Sequence, residues 1–338
     1  MDLNTMKKTA VLDLKTTDPA WNLAAEQVVF DCMPRDRNYL MLWQNDNAII
    51  IGKYQNTAAE INTEYVHAHG IRVVRRLSGG GAVYHDLGNL NFTFITDADR
   101  TGGVDLKPFC EPVVRALARF GVRAEIDGRN DITVDGKKFS GNAQYRREGR
   151  VMHHGTILFD SRLETVQEAL RVDAEKIRSK GISSVRSRVT NIRPYLPEGT
   201  SLEDFKRALL EEIAQGGKTE FLSFTAPQEE AVLRLKKERY DTRTWNYASS
   251  PSCMLLKQKR IEGCGKLELY VTVEKDRITE LEIRGDFFAA EDPSVLARCL
   301  LGCRPEKEDC EKALSKAGVR PEEIIVGLSQ KDFLDLLC

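Results

Sequence analysis

Residues 75–94 read RRLSGGGAVYHDLGNLNFTF. Two arginines end a strand-like run that begins at Ile71, three glycines follow, and LNFTFI at 90–95 opens another strand-like run. The glycines therefore sit at a bend between strands. Glycine reaches backbone conformations that side chains forbid and lets another group approach the main chain. Successive N–H groups in such a bend form an anion-binding nest. Neighbours on a strand face opposite sides, so only one of Arg75 and Arg76 reaches a ligand directly, and Ser78 adds a hydroxyl. The spacing is neither a P-loop nor a dinucleotide fingerprint. On these residues alone, a phosphate or carboxylate clamp and a bend that serves folding only remain equally open.

The flanking sequence predicts a mixed α/β (α+β) arrangement. Upstream, Asp18 and Pro19 form a helix start and Pro34 ends that helix. YLMLWQ and NAIIIG read as strands, and INTEYVHAHG as a short helix closed by Gly70. Downstream come the amphipathic helix LKPFCEPVVRALARFG, short strands at VRAEI, DITV and KFSG, a hairpin-like Asp135–Gly136 pair, and the strand HHGTILF. Helical segments follow: LETVQEAL, LEDFKRALLEEIAQ and QEEAVLRLKKERY. YASSPSC reads as linker, and beyond it a strong hairpin and two helices predict a smaller α+β domain. The expected division is 1–246, a linker at 247–256, and 257–338.

The 338 residues carry 50 basic and 51 acidic side chains. That balance gives no bulk electrostatic case for nucleic acid. No apolar run is long enough to span a membrane, and the first residues carry no apolar targeting core, so a cytoplasmic protein is expected. The eight cysteines contain no CxxC pair and read as reduced thiols. Cys299, Cys303 and Cys310 fall short of the ligand pairs that a zinc site shows.

Two further segments carry chemistry. NDITVDGKKFSGNA, 130–143, places Lys137 and Lys138 after a hairpin turn. An ammonium is a point charge suited to a carboxylate or phosphate oxygen, although lysines beside a turn are most often solvated. His153 and His154 follow on a strand and alternate faces, which argues against joint chelation of one metal. KGISSVRSRVTN, 180–191, is a basic, hydroxyl-rich loop that suits closure over a nucleotide.

Taken in order, RRLSGGGAVYHDLGNLNFTF, NDITVDGKKFSGNA, HHGTILFD and KGISSVRSRVTN resemble the signature of the lipoate–protein ligases. RYDTRTWNY and ITELEIRGDFF resemble the form of that family with a C-terminal accessory domain. The resemblance covers nearly the whole chain. It implies a mixed-sheet catalytic domain related to the biotin ligases, whose own GRGRxxR signature is absent. It also implies two steps: lipoate and ATP give lipoyl-AMP and pyrophosphate, then an acceptor lysine takes the lipoyl group and releases AMP. The implied acceptors are lipoyl domains of 2-oxoacid dehydrogenase E2 subunits and the glycine-cleavage H protein.

By the same resemblance Lys138 matches the catalytic lysine of KxSG, with Lys137 as the neighbouring alternative. Arg76, Ser78, Gly79, Gly80, Gly81, Ala82, Val83 and Tyr84 line nucleotide and acyl-chain surfaces, and His85 forms a pocket wall. Asn130 and Asp131 support the nucleotide, with Asp131 a magnesium contact. Ser140, Gly141, His154, Gly155, Ser184 and Arg186 complete the adenylate-binding set. An eight-carbon chain needs an apolar tunnel, stabilising at about 0.8 kcal/mol per buried methylene. Two alternatives stay open: an ATP-independent lipoyl or octanoyl transferase using a cysteine, and a non-catalytic lipoate or nucleotide binder.

Overall fold

The computed structural model describes residues 8–97, 105–128, 130–170, 189–214, 219–247, 255–274 and 276–338. The chain forms two compact units. The first comprises Met1–Ile50, Ile61–Val74 and Val83–Asn246; the second comprises Ile51–Glu60, Arg75–Ala82 and Tyr247–Cys338. The second unit thus joins two short segments, the glycine bend among them, to the C-terminal residues.

The strands in chain order are β1 (Thr9–Asp13), β2 (Asn38–Trp43), β3 (Ala48–Ile51), β4 (Arg72–Arg75), β5 (Val83–His85), β6 (Asn89–Asp97), β7 (Ala124–Asp127), β8 (Asp131–Val134), β9 (Lys137–Arg147), β10 (Arg150–Leu158) and β11 (Thr219–Phe221). Eight of them make one sheet in the order β11-β1-β2-β6-β10-β9-β8-β7, and β4-β3-β5 make a second. β1 runs parallel to β11 and β2, while the pairs from β2 to β7 are antiparallel. β2 and β3, consecutive in the chain, thus belong to different sheets.

One face of the large sheet is covered by the helices α2 (Lys107–Ala118) and α3 (Leu202–Ala214). Their Phe109, Val113, Leu117, Phe205 and Leu209 join Leu40, Phe92, Phe94, Ile132 and Phe139 in one core. The helix α1 (Pro19–Cys32) is buried almost all round, polar Asn22, Glu26 and Gln27 included. Asp18 caps it, accepting from the N–H groups of Ala20 and Trp21.

The end of α1 is closed from β10. The buried guanidinium of Arg150 donates to the carbonyls of Phe30, Met33 and Pro34. It lies over the rings of Phe30 and Tyr39. Burial pulls its pKa below the ordinary arginine value, yet three carbonyl acceptors and two ring faces accommodate the charge.

The second unit is built on β12 (Leu255–Ile261), β13 (Gly265–Glu274) and β14 (Arg277–Gly285), an antiparallel sheet. The helices α4 (Ser294–Leu300), α5 (Lys307–Ala317) and α6 (Gln330–Leu337) join it in a core of Leu267, Leu269, Ile283, Phe287, Leu296, Leu314 and Phe333.

Arg150→Ala strands these helix-end carbonyls and empties the slot between two rings. We expect a loss of about 2–4 kcal/mol in urea unfolding. Arg150→Lys should recover only part of it, because an ammonium lacks the planar fork.

Candidate active site

The hairpin from β8 to β9 turns on Asp135 and Gly136, both at positive φ, as a two-residue turn demands. Asp131 pairs with Gly141 and Ile132 with Ser140, but Thr133 pairs with Lys138. Phe139 is thus one extra residue on β9, a bulge that re-aims its neighbours. Its ring enters the core, while Lys138 Nζ sits 2.6 Å from Asp131 Oδ1. Lys137 is exposed. The Lys138 side chain passes over Gly141, where a Cβ would lie 3.1 Å from Nζ and 3.2 Å from Cε. Any side chain at 141 would push the ammonium. The Lys138 carbonyl accepts from the Thr190 N–H, and Lys138 bridges Val189.

Asn130 and Asn142 clamp this corner. Asn142 N–H and Nδ2 both donate to the Asn130 carbonyl, and Asn130 Nδ2 donates back to the Asn142 carbonyl. The buried Ser140 hydroxyl accepts from Asn142 Nδ2. Asn130, Asp131, Lys138, Ser140 and Gly141 are therefore gathered at one place. Among the described residues no three His, Cys, Asp or Glu side chains converge as a metal site. Asp131 offers a single carboxylate here, already in contact with Lys138.

On β10, His153 and His154 face opposite sides. His154 Nδ1 lies 3.0 Å from Glu26 Oε1. That same oxygen accepts from the Thr93 hydroxyl, which accepts from Trp43 Nε1–H. Sequence reading missed Glu26, Thr93 and Trp43. The one available signal was a carboxylate inside the apolar run LAAEQVVF. On β5, Tyr84 donates to Asn47 Oδ1 and receives Arg162 Nη2; burial raises its pKa. His85 Nδ1 meets Asn45 Nδ2 at 3.1 Å, with its ring edge-on to Trp43.

Arg76, Ser78, Gly79, Gly80, Gly81 and Ala82 belong to the second unit. Arg76 is buried and staples its own bend: Nε donates to Ser78 Oγ, and Nη2 donates to the carbonyls of Gly79 and Gly81. Arg75, not assigned from sequence, is buried more deeply. It donates to the carbonyls of Gly52, Lys53 and Gln55 and to the Thr57 hydroxyl. Burial, then the nearby Arg284, lowers its pKa to about 10. A Cβ on Gly79 would meet the Phe287 carbonyl oxygen at 2.3 Å. Gly80, at φ +89°, donates its N–H to that oxygen and faces the Phe288 ring. Two of the three glycines are thus required by the GDFF corner that follows β14, and only Gly81 is open. Ser184 and Arg186 lie outside the described residues.

With this geometry in place, the likeness to known proteins is specific. The model of the lipoyl protein ligase A/B catalytic domain matches residues 18–214, and that of the bacterial lipoate protein ligase C-terminus matches 250–337. The chain is 44% identical to lipoate-protein ligase LplJ of Bacillus subtilis, covering 95% of this chain and 97% of that protein. It is 42% identical to lipoate–protein ligase 1 of Staphylococcus aureus, covering 89% and 91%. Among solved structures, P. falciparum LipL1 in complex with lipoate shares the fold at a TM-score of 0.77 and 24% identity, covering 97% of each chain. A chain from the structural analysis of an archaeal lipoylation system, a bipartite lipoate protein ligase and its E2 lipoyl domain from Thermoplasma acidophilum, aligns at 0.63 and 26% identity, over 74% of this chain and 99% of that one. A lipoate-protein ligase A bound with ATP aligns at 0.62 and 25%, over 72% and 99%. The chain belongs to the lipoate–protein ligase family, in the form that joins the catalytic domain to the family's C-terminal domain.

Proposed function

We propose that this chain activates lipoate with ATP to lipoyl-AMP and transfers the lipoyl group to a lysine of an acceptor protein. The observation that carries the reading is Lys138, an ammonium held by Asp131 over the side-chain-free surface of Gly141. Both partners are about a third exposed, so the pair contributes roughly 0–1 kcal/mol. Incoming phosphate and carboxylate oxygens can therefore replace Asp131 at little cost.

In the first step a lipoate carboxylate oxygen attacks the α-phosphorus, a new P–O bond forms, and pyrophosphate leaves with the electrons of the broken bond. Lys138 donates to the oxygens on which negative charge gathers, and its fixed position means little reorganisation during the step. Magnesium, when present with ATP, neutralises phosphate charge, with Asp131 its candidate carboxylate on this chain. In the second step the acceptor amine attacks the acyl carbon and AMP leaves.

Arg76 and the bend through Ala82 are assigned to the acyl-adenylate surface on the strength of the family signature. Val83, Tyr84, His85, Asn130, Ser140, Gly141, His154 and Gly155 are assigned with them. The acceptors are E2 lipoyl domains, as in the Thermoplasma pair, with the glycine-cleavage H protein as a second candidate, and the enzyme works in the cytoplasm. A thiol-carried transfer is disfavoured. Cys110 is buried in the core and its pKa is pushed up to about 12 by burial, which keeps it protonated and unreactive.

The test is mass spectrometry of a purified lipoyl domain and of H protein, each incubated with this chain, lipoate, ATP and magnesium. The expected result is an ATP-dependent lipoyl adduct on the acceptor lysine; adduct formation without ATP, or none at all, would contradict the reading. Lys138→Ala should lower the rate about 100- to 1000-fold with an unchanged melting temperature. Lys137→Ala should behave as wild type, and the reverse pattern would move the role to Lys137.

A further inference from the structure

Behind the Lys138 corner runs a chain of buried amides and one imidazole. His153 is fully buried, stacked on Phe109 at 4.7 Å and on Phe92 at 5.9 Å between ring centroids. An aromatic slot explains a ring there but not a polar one. Phenylalanine would fill the slot without any polar group to satisfy.

The hydrogen bonds give the reason for the imidazole. Gln144 Nε2 donates to the Asp105 carbonyl at 2.6 Å and meets His153 Nδ1 at 3.3 Å. A carbonyl only accepts, so this nitrogen is the amide NH2 and His153 Nδ1 must accept. The proton then sits on His153 Nε2, 3.2 Å from Asn142 Oδ1. With its oxygen so engaged, Asn142 turns its NH2 to the Asn130 carbonyl and Ser140 Oγ. Every donor and acceptor in the chain is set from one backbone carbonyl to the other. A second proton on His153 would face the Gln144 NH2, donor against donor. In keeping with this, burial, and then the neighbouring His154, hold the His153 pKa well below the ordinary histidine value.

The chain ends where the chemistry is assigned. Asn130 directly precedes Asp131, and Asn142 follows Gly141, over which the Lys138 side chain lies. The Asn142 amide occupies the space above Gly155, where a Cβ would stand 2.3 Å from Oδ1. Gly155 is thus a glycine that leaves room for Asn142 and for the Phe92 ring, whose Cζ would lie 2.4 Å from the same Cβ.

We propose that His153 and Asn142 are positioning residues: neutral His153 orients Asn142, and Asn142 clamps the Asn130 backbone, so that Asp131 and Lys138 are held in register for acyl activation. The assignment rests on the ligase reading above. Neither residue touches the reacting atoms, so their loss should slow the chemical step and leave substrate affinity unchanged.

The test compares His153→Leu and His153→Gln in the full chain by lipoate-dependent ATP–pyrophosphate exchange, with melting temperature recorded for each. His153→Leu should lose about 10- to 100-fold in kcat with unchanged KM for lipoate and ATP, the scale of a small misplacement of a reacting group. His153→Gln keeps an N–H donor for Asn142 and should recover most of that loss. Wild-type kcat in His153→Leu would overturn the assignment. So would equal losses in both variants that follow melting temperature, since packing alone would then explain them. If His153→Leu does not fold, Asn142→Asp replaces it: it keeps the shape and the bond from His153, and its backbone N–H still reaches the Asn130 carbonyl, but its side chain can no longer donate to that carbonyl. The same kcat loss is expected, and wild-type kcat there would also overturn the assignment. No exchange by the wild-type chain would instead overturn the ligase reading itself.

Discussion

In the proposed reaction Lys138 meets a carboxylate and a phosphate, a role that needs a defined place and a partner that it can leave. The pair of Lys138 with Asp131 supplies both. The bulge at Phe139 anchors the hairpin in the core and turns Lys138 towards Asp131. Glycine at 141 leaves the track along which the side chain lies. Partial exposure keeps the ion pair weak enough to exchange, while the Asn130–Asn142 clamp holds the backbone beneath it. The large sheet can be read as the support for this corner, since β8 and β9 continue it through β10 to the core packed by α2 and α3.

Much of this was legible in the sequence because it rests on local chemistry. Asp18 and Pro19 start a helix, Asp135–Gly136 turns a hairpin, and Gly70 follows a short helix; each is a backbone preference visible in a few residues. The hairpin of β13 and β14 is an equally local pattern. What could not be read depends on contacts distant in sequence. The buried carboxylate of Glu26 makes sense only beside His154 and Thr93, residues far along the chain that the fold brings to it. Arg150 looks like any surface arginine until the end of α1 lies against it.

The glycine bend shows the limit most clearly. Three glycines after two arginines suggest a ligand lying against the main chain. Gly79 and Gly80 also have a reason inside the chain, namely the Phe287 carbonyl and the Phe288 ring more than 200 residues later in the sequence. Arg76 neutralises the bend's own carbonyls. The motif therefore ties a segment of the family signature to the C-terminal sheet, a coupling that spacing alone does not reveal.

The most direct measurement is an experimental structure of the chain with a non-hydrolysable sulfamoyl analogue of lipoyl-AMP. The account predicts that Lys138 Nζ leaves Asp131 and lies about 3 Å from the acyl and sulfamoyl oxygens, with Asn142 still on the Asn130 carbonyl and on His153. A bound analogue with Lys138 still paired to Asp131, and no contact to those oxygens, would contradict it.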